Sequence, residues 1–300
     1  MFRIMEARDI GFRIRQFTIE APRIAHKQRP GQFVIVRLHD QGERIPLSIK
    51  SSDPAAGTIT IVVQSVGKTT SLLNSLEAGD SILDIMGPLG QPSEIKIHGT
   101  AVIVAGGMDT ATALPTARAL RDAGNFVVFI EGARNREMVL FEDELRKAVS
   151  ETHILTDDNS YGERGPVTNK LNELIANGRK IDYVLAVGSI GMMRAVAAIT
   201  APRGIKTTVS LKTIMMDGAG MFGGCRVLAG GDTKFACVDG PEFDATLVNF
   251  DLLMQRNARY RDKESMSLEV FAEHKEEQLV QCRAELAEHK RAELESTYAR

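Results

Sequence analysis

The hydrophobic pattern of this chain changes near residue 98, and that change limits the possible folds more than any other feature of the sequence. Upstream, short apolar–polar alternations are separated by turn residues: FRIRQFTIE, QFVIVRLH, RIPLSIKSS, GTITIVVQSV and DSILDIMGPLG. Downstream, the continuous apolar run TAVIVAGG precedes the helical pattern ATALPTARALRDAG and the run NFVVFIEGAR. The first pattern predicts a small antiparallel barrel, and the second predicts a βαβ unit with a parallel sheet.

Strand and helix patterns continue to alternate to about residue 211, through HILTDD, VTNKLNELIANG, DYVLAVGS, MMRAVAAIT and TTVSL. The predicted fold class is therefore a β-barrel plus an α/β domain whose sheet is doubly wound. We predict four segments in the 300 residues: a barrel at 1–97, an α/β domain at 98–211, a small lobe at 212–250 and a helical tail at 251–300.

The lobe contains the spacing of a plant-type 2Fe-2S site, C-x4-C-x2-C followed by a distant fourth Cys. Here it reads Asp217-x4-Phe222-x2-Cys225-x11-Cys237, inside a glycine-rich loop, so two of the four positions are Cys. Three interpretations stay open: a cluster on Asp217, Cys225 and Cys237 completed by another donor, a packed remnant with two buried cysteines, or a zinc site.

The overall charge and hydropathy exclude several partners. The formal net charge is −2, so no strong field favours nucleic acid or an anionic membrane surface. Because no apolar run reaches 18 residues, we expect a cytoplasmic protein without a membrane span. The three cysteines do not suggest a disulfide framework.

The tail from Lys263 reads as a charged helix with one apolar stripe. That stripe could lie on the chain itself, or it could dock a partner subunit, and the pattern alone does not decide between them. Its members are Leu268, Phe271, Leu279, Cys282 and Leu286.

The order of these segments, with the motifs ERIPLSI, VGKTTSLL, GPLGQPSEI, TDDNSYGERGPVT and the loop GAGMFGGCRV, resembles the electron-transfer subunits of the ferredoxin–NADP reductase superfamily. The chain is similar to two groups in it: small subunits of NADH-dependent ferredoxin:NADP oxidoreductase (sulfide dehydrogenase) and dihydroorotate dehydrogenase electron-transfer subunits. Asp217 at the first ligand position favours the former group.

The resemblance implies that FAD binds at two places in the barrel. A strand end of the form Arg-x-x-x-Ser would hold the flavin, because a guanidinium can clamp a pyrophosphate. The loop GKTT would face the phosphates, although an ordinary turn and helix start is the alternative, and no upstream glycine of a triphosphate-binding loop is present. The implied FAD residues are Arg44, Pro46, Leu47, Ser48, Gly67, Lys68, Thr69 and Thr70.

The resemblance also implies an NAD(P) site at the loop after TAVIV, where the chain departs from the family. Asp109 replaces a glycine there and brings a carboxylate next to the expected pyrophosphate, with a helix N-cap as its alternative role. Ser189 also replaces a family proline. The implied nucleotide residues are Gly106, Gly107, Thr110, Arg134, Asp157 and Gly188.

The function implied by the resemblance is that of an FAD-containing electron-transfer subunit. It would pass electrons between NAD(P)H and a larger flavin and iron–sulfur partner, with ferredoxin as a further candidate partner. No acid, base or nucleophile is needed, since the flavin carries the chemistry. The alternative is a structural or regulatory subunit that has lost its nucleotide or its cluster, as Asp109 and Phe222 suggest.

Overall fold

The computed structural model describes residues 1–298 and begins with an antiparallel sheet of seven strands. Its strands are β1 (Phe2–Gly11), β2 (Ile14–Glu20), β3 (Phe33–Arg37), β4 (Arg44–Asp53), β5 (Thr58–Gln64), β6 (Ser81–Ile82) and β7 (Asp84–Leu89). They lie in the order β6-β1-β2-β5-β4-β3-β7, and each neighbouring pair is antiparallel. Two short helices join them, α1 (Pro22–Ala25) and α2 (Lys68–Leu73).

The apolar–polar alternation that predicted this sheet places one side of each strand in a common core. Phe17 and Ile19 of β2 and Ile59 and Ile61 of β5 are completely buried. Strand β1 was not predicted, because its sequence FRIMEARDIG mixes charged and apolar residues and buries only Ile4. The antiparallel character of the first segment is confirmed.

The second sheet contains six strands from the predicted α/β segment and one from the lobe. Its elements in chain order are β8 (Thr100–Gly106), α3 (Asp109–Asp122), β9 (Phe126–Ala133), α4 (Glu142–Ala148), β10 (Glu151–Thr156), β11 (Glu163–Arg164), α5 (Val167–Ala176), β12 (Tyr183–Val187), α6 (Ile190–Thr200) and β13 (Lys206–Ser210). The strands of these elements pair in parallel.

The strand order β11-β10-β9-β8-β12-β13 shows that this sheet is doubly wound, as predicted. From β8 the chain builds outward through β9 and β10, and it then crosses to the other side of β8 to add β12 and β13. In such sheets ligands bind outside the carboxyl ends of the strands where the direction of winding reverses. That point lies between β8 and β12.

The lobe consists of β14 (Arg226–Ala229), β15 (Asp232–Phe235) and β16 (Glu242–Asp244). β14 and β15 form a hairpin, whereas β16 pairs antiparallel with β13 and extends the α/β sheet. Cys225 and Cys237 share one apolar core with residues of that sheet. The lobe is thus continuous with the α/β segment. The four segment boundaries predicted from the sequence remain a prediction.

The tail contains α7 (Phe250–Ala258), α8 (Arg261–Glu273) and α9 (Lys275–Tyr298). The helix predicted from residue 263 is interrupted at His274. The whole predicted apolar stripe packs against the barrel core, and Arg283 donates to the Ser75 carbonyl at 2.8 Å. The tail therefore lies on its own chain, which is the first of the two interpretations. None of the helices within residues 1–298 combines the length and hydropathy required to cross a bilayer.

Candidate flavin and nucleotide site

A cavity of about 190 Å³ lies between the barrel and the carboxyl edge of the α/β sheet. Pro46, Leu47 and Ser48 of β4 line one side of it. The other side is lined by Thr112 of α3 and by residues at the ends of β12 and β13, including Lys212. The cavity combines apolar walls with a few hydroxyl and charged groups, which is the composition of a ring-binding pocket.

A second cavity, of about 720 Å³, lies beside the glycine–lysine–threonine loop. Glu43, just before β4, and Ile45 of β4 line it, so β4 borders both cavities. Arg44 lies between Glu43 and Ile45 in the chain and is exposed, with its guanidinium 3.9 Å from Asp84. An exposed ion pair at that distance contributes little, so Arg44 is available to a phosphate.

The loop at residues 66–70 is ordered by the hydroxyl of Thr70. This hydroxyl accepts hydrogen bonds from the backbone N–H groups of Val66 and Gly67, both at 3.0 Å. The hydroxyl of Thr69 donates to Glu43 at 2.6 Å. The loop is thus fixed against β4 by its own threonines, and Lys68 supplies its positive charge. Seven of the eight residues predicted for FAD line these two cavities, and the eighth, Arg44, is the chain neighbour of two residues that line the larger one.

The nucleotide loop follows β8, with Gly107 at φ +55° and open space where a side chain would begin. Thr110, a predicted nucleotide residue, is completely buried, and its hydroxyl donates to Glu131 at 3.0 Å. Glu131 also accepts from the Leu140 N–H, while its other oxygen has no hydrogen-bond partner among the described residues. Burial raises the pKa of Glu131 to about 7. The Thr110 hydroxyl is therefore engaged inside the protein.

Asp109 is the first residue of α3 and is buried, but it does not cap the helix. The N-cap residue is Met108, and no side-chain capping bond is present. The Asp109 carboxylate instead forms an ion pair with Lys212. The N-cap alternative is therefore wrong: the partner of Asp109 is a lysine after β13, a position that no local pattern could indicate.

The remaining nucleotide candidates lie at the ends of neighbouring strands. Gly188 follows β12, and a β-carbon there would meet the end of Met192 at 2.2 Å and Asp109 at 3.9 Å. Ser189 caps α6 by accepting from the Met192 N–H. Arg134 follows β9 and Asp157 follows β10, and both are exposed. These ends meet at one edge of the sheet, as a dinucleotide requires.

The lobe brings two of its three candidate ligands together. The sulfur atoms of Cys225 and Cys237 are 3.0 Å apart and buried, whereas a carboxylate oxygen of Asp217 accepts from the Met221 N–H at 2.7 Å. Burial, reinforced by Cys225, raises the pKa of the Cys237 thiol to about 12. Phe222, at the missing ligand position, is 67% exposed, so it does not fill the lobe interior.

These residues do not provide a complete site for a 2Fe-2S cluster, because four donors are needed and the chain supplies three. Gly218 retains the tight turn of such a loop, with φ at +70°. A side chain at this position would also meet Leu89 at 2.5 Å, so the position requires glycine. Within residues 1–298, no group of three or more His, Cys, Asp and Glu side chains is arranged to hold a metal ion. The zinc interpretation accordingly gains no support.

Two protein families match parts of this chain. An oxidoreductase FAD-binding domain matches residues 1–93. The iron–sulfur cluster binding domain of dihydroorotate dehydrogenase B matches residues 212–249. Together with the two cavities they define the class: a flavin-binding oxidoreductase of the ferredoxin–NADP reductase fold with an iron–sulfur type lobe.

Relatives that match most of the chain identify the family. A dihydroorotate dehydrogenase B electron transfer subunit homolog of Thermotoga maritima is 45% identical over 255 residues, covering 85% of this chain and 90% of the relative. The corresponding electron transfer subunit of Enterococcus faecalis is 32% identical over 258 residues, covering 83% and 97%. The chain belongs to the family of dihydroorotate dehydrogenase B electron-transfer subunits and their homologues.

One solved structure agrees with the first of the two predicted groups. The structure of an NADH-dependent reduced ferredoxin–NADP oxidoreductase, described for flavin-based electron bifurcation, matches with a TM-score of 0.86 and 41% identity, covering 91% of this chain and 98% of the other. An Amycolatopsis cytochrome P450 reductase, at 21% identity and a TM-score of 0.57, shows the shared fold alone. The predicted family and fold are confirmed.

The sequence did not reveal Lys212, Glu131 or Tyr260 as site residues. Lys212 and Tyr260 border the cavities only because distant segments fold back onto β4. The acidic residue in the apolar run FVVFIEGAR was the one available signal for Glu131, since a carboxyl in a buried strand needs partners.

Proposed function

We propose that this chain is the FAD-binding electron-transfer subunit of a multi-subunit oxidoreductase, passing electrons between NAD(P)H and a larger flavin and iron–sulfur subunit. The cavity between β4 and the carboxyl edge of the α/β sheet supports this proposal, because three residues predicted for FAD line one side of it and the ends of β12 and β13 line the other. The larger partner subunit is supported by relatives that are themselves electron-transfer subunits. Ferredoxin is a further proposed partner.

The chain's own residues bind and orient rather than react. Pro46, Leu47 and Ser48 would hold the ring edge, and Arg44 with Lys68 would hold the diphosphate. FAD, when bound, supplies the exchange between two-electron and one-electron transfers. The apolar walls limit water at the ring, and they face the sheet edge where Gly107 and Arg134 would receive the nucleotide. No step is assigned to the lobe, because its donor set is incomplete.

The test is an anaerobic visible spectrum of the FAD-loaded chain before and after NADH or NADPH is added. The expected result is bleaching of the flavin bands by one of the two nucleotides. Arg44→Met should lower flavin occupancy, whereas Arg23→Met, an exposed arginine on α1, should leave it unchanged. A wild-type chain that retains no FAD after reconstitution would refute the proposal.

A second candidate function is a subunit that binds FAD but exchanges no electrons with a nucleotide. The buried Asp109 in the nucleotide loop favours it. In that case the spectrum would show flavin that neither nucleotide bleaches, and reduction would require the partner subunit.

A further inference from the structure

The cavity beside the loop at 66–70 has two walls, and the barrel provides only one of them. Glu43, Ile45 and the loop form the barrel wall, and residues 260–268 at the start of α8 form the other. The second wall lies outside both matched domains, which cover residues 1–93 and 212–249. Neither of those domains therefore accounts for it.

The second wall is anchored rather than loosely apposed. Phe271 of α8 is 3% exposed and packs in the barrel core, and Leu268 packs against the same core while also lining the cavity. Because these two residues fix the helix on the barrel, its first turns are held over the loop. The cavity is thus bounded by two ordered elements.

The first turn of α8 carries groups suited to a nucleotide. The Tyr260 ring is 43% exposed, and the ammonium group of Lys263 lies 5.9 Å from its centroid. Arg261 and Lys263 face the cavity from α8, and Lys68 faces it from the barrel. Glu43, one of two acids in the lining, is already bonded to Thr69. An aromatic ring beside cationic groups suits a base attached to phosphates.

We propose that α8 forms half of a binding site for the adenosine diphosphate part of FAD, with Tyr260 against the adenine and Arg261 and Lys263 beside the diphosphate. The proposal rests on the proposed function, since it requires that the chain holds FAD. The two cavities are separated along β4. From Ser48, which lines the smaller cavity, to Glu43, which lines the larger one, five residues of extended chain span about 17 Å.

FMN separates this inference from flavin binding in general, because FMN has the ring and one phosphate but no adenosine. The experiment titrates FAD and FMN into the full-length chain after its flavin has been removed. Tyr260→Ala and the double variant Arg261→Glu/Lys263→Glu should each weaken FAD binding about tenfold or more. Binding of FMN to Tyr260→Ala should stay within about twofold of the wild type, because FMN lacks the adenine that Tyr260 would contact.

Met266→Ala is the matched control, since Met266 lies on the same helix, is 64% exposed and does not line the cavity. It should change neither affinity. Unchanged FAD affinity in both test variants would overturn the inference. Equal losses of FAD and FMN affinity in Tyr260→Ala would also overturn it, because they would indicate damage to the barrel. A wild-type chain that binds neither flavin would instead refute the proposed function.

Discussion

Asp109 and Lys212 form an ion pair across the carboxyl end of β12, joining the helix after β8 to the segment after β13. Asp109 is nearly buried and Lys212 is half-exposed and lines the smaller cavity. The pair lies where the fold would place the pyrophosphate of a dinucleotide. The substitution of a glycine by Asp109 is thus accompanied by a cation that neutralises it.

Asp109→Gly is expected to strengthen binding of NADH or NADPH. The change removes a carboxylate from the pyrophosphate position and leaves Lys212 available to the phosphate. The gain should be about 1–2 kcal/mol, or roughly 5- to 30-fold in Kd. Isothermal titration calorimetry of the full chain measures it.

Lys212→Gln is the companion of that variant, because it leaves the buried carboxylate of Asp109 without its cation. Nucleotide affinity should fall. If Asp109→Gly and Lys212→Gln move the Kd in the same direction, the ion pair does not control the nucleotide site.

Phe222→Cys should convert the lobe into an iron–sulfur site. It restores the fourth donor at the family spacing, beside Cys225 and Cys237, whose sulfur atoms already lie together. After anaerobic reconstitution we expect iron near two per chain and visible absorption beyond that of the flavin. Met221→Cys, at the neighbouring exposed position, is the control and should bind none. Equal iron contents in the two variants would contradict the prediction.

Glu131→Gln should remove part of the pH dependence of stability. Burial raises the pKa of Glu131 from 4.5 to about 7, so between these values the folded chain binds more protons than the unfolded chain. The free energy of unfolding therefore falls as the pH rises through that window, by on the order of 3 kcal/mol. Glutamine keeps the acceptor used by Thr110 and Leu140 but does not ionise.

Urea unfolding of the wild type and Glu131→Gln at pH 5 and pH 8 checks this. Relative to the wild type, the free energy of unfolding of Glu131→Gln should be higher at pH 8 than at pH 5. A difference that is the same at both pH values would show that Glu131 ionises equally in the folded and unfolded chain.

Phe271→Ala should loosen the tail from the barrel. Removing a buried phenyl ring costs about 3–5 kcal/mol where the cavity cannot collapse. We expect a lower Tm and earlier cleavage between α7 and α8 in limited proteolysis. Val270→Ala, which changes a 56% exposed neighbour, should behave like the wild type. If both variants are cleaved alike, Phe271 does not anchor the tail.

The sequence patterns predicted most accurately those elements whose hydrophobic pattern is strong and local. β8 and β12 are short continuous apolar runs, and they were located within one or two residues of their observed ends. α4 was missed because EDELRKA is too short and charged to show a period. Features that depend on contacts between distant segments could not be predicted from local patterns. The ion pair of Asp109 is an example, because its partner Lys212 is more than 100 positions away in the chain.

The pairing of β16 with β13 determines how the lobe can move. Ser210 is paired with Glu242, and next to them the Leu211 N–H donates to the Pro241 carbonyl at 2.8 Å, while the Gln91 N–H donates to the Gly240 carbonyl at 2.6 Å. Hydrogen bonds thus join the lobe both to the α/β sheet and to the segment that follows β7, at neighbouring residues of the lobe. A hinge between the lobe and the flavin cavity would have to break these hydrogen bonds, so the distance between the lobe and the cavity is fixed by the fold.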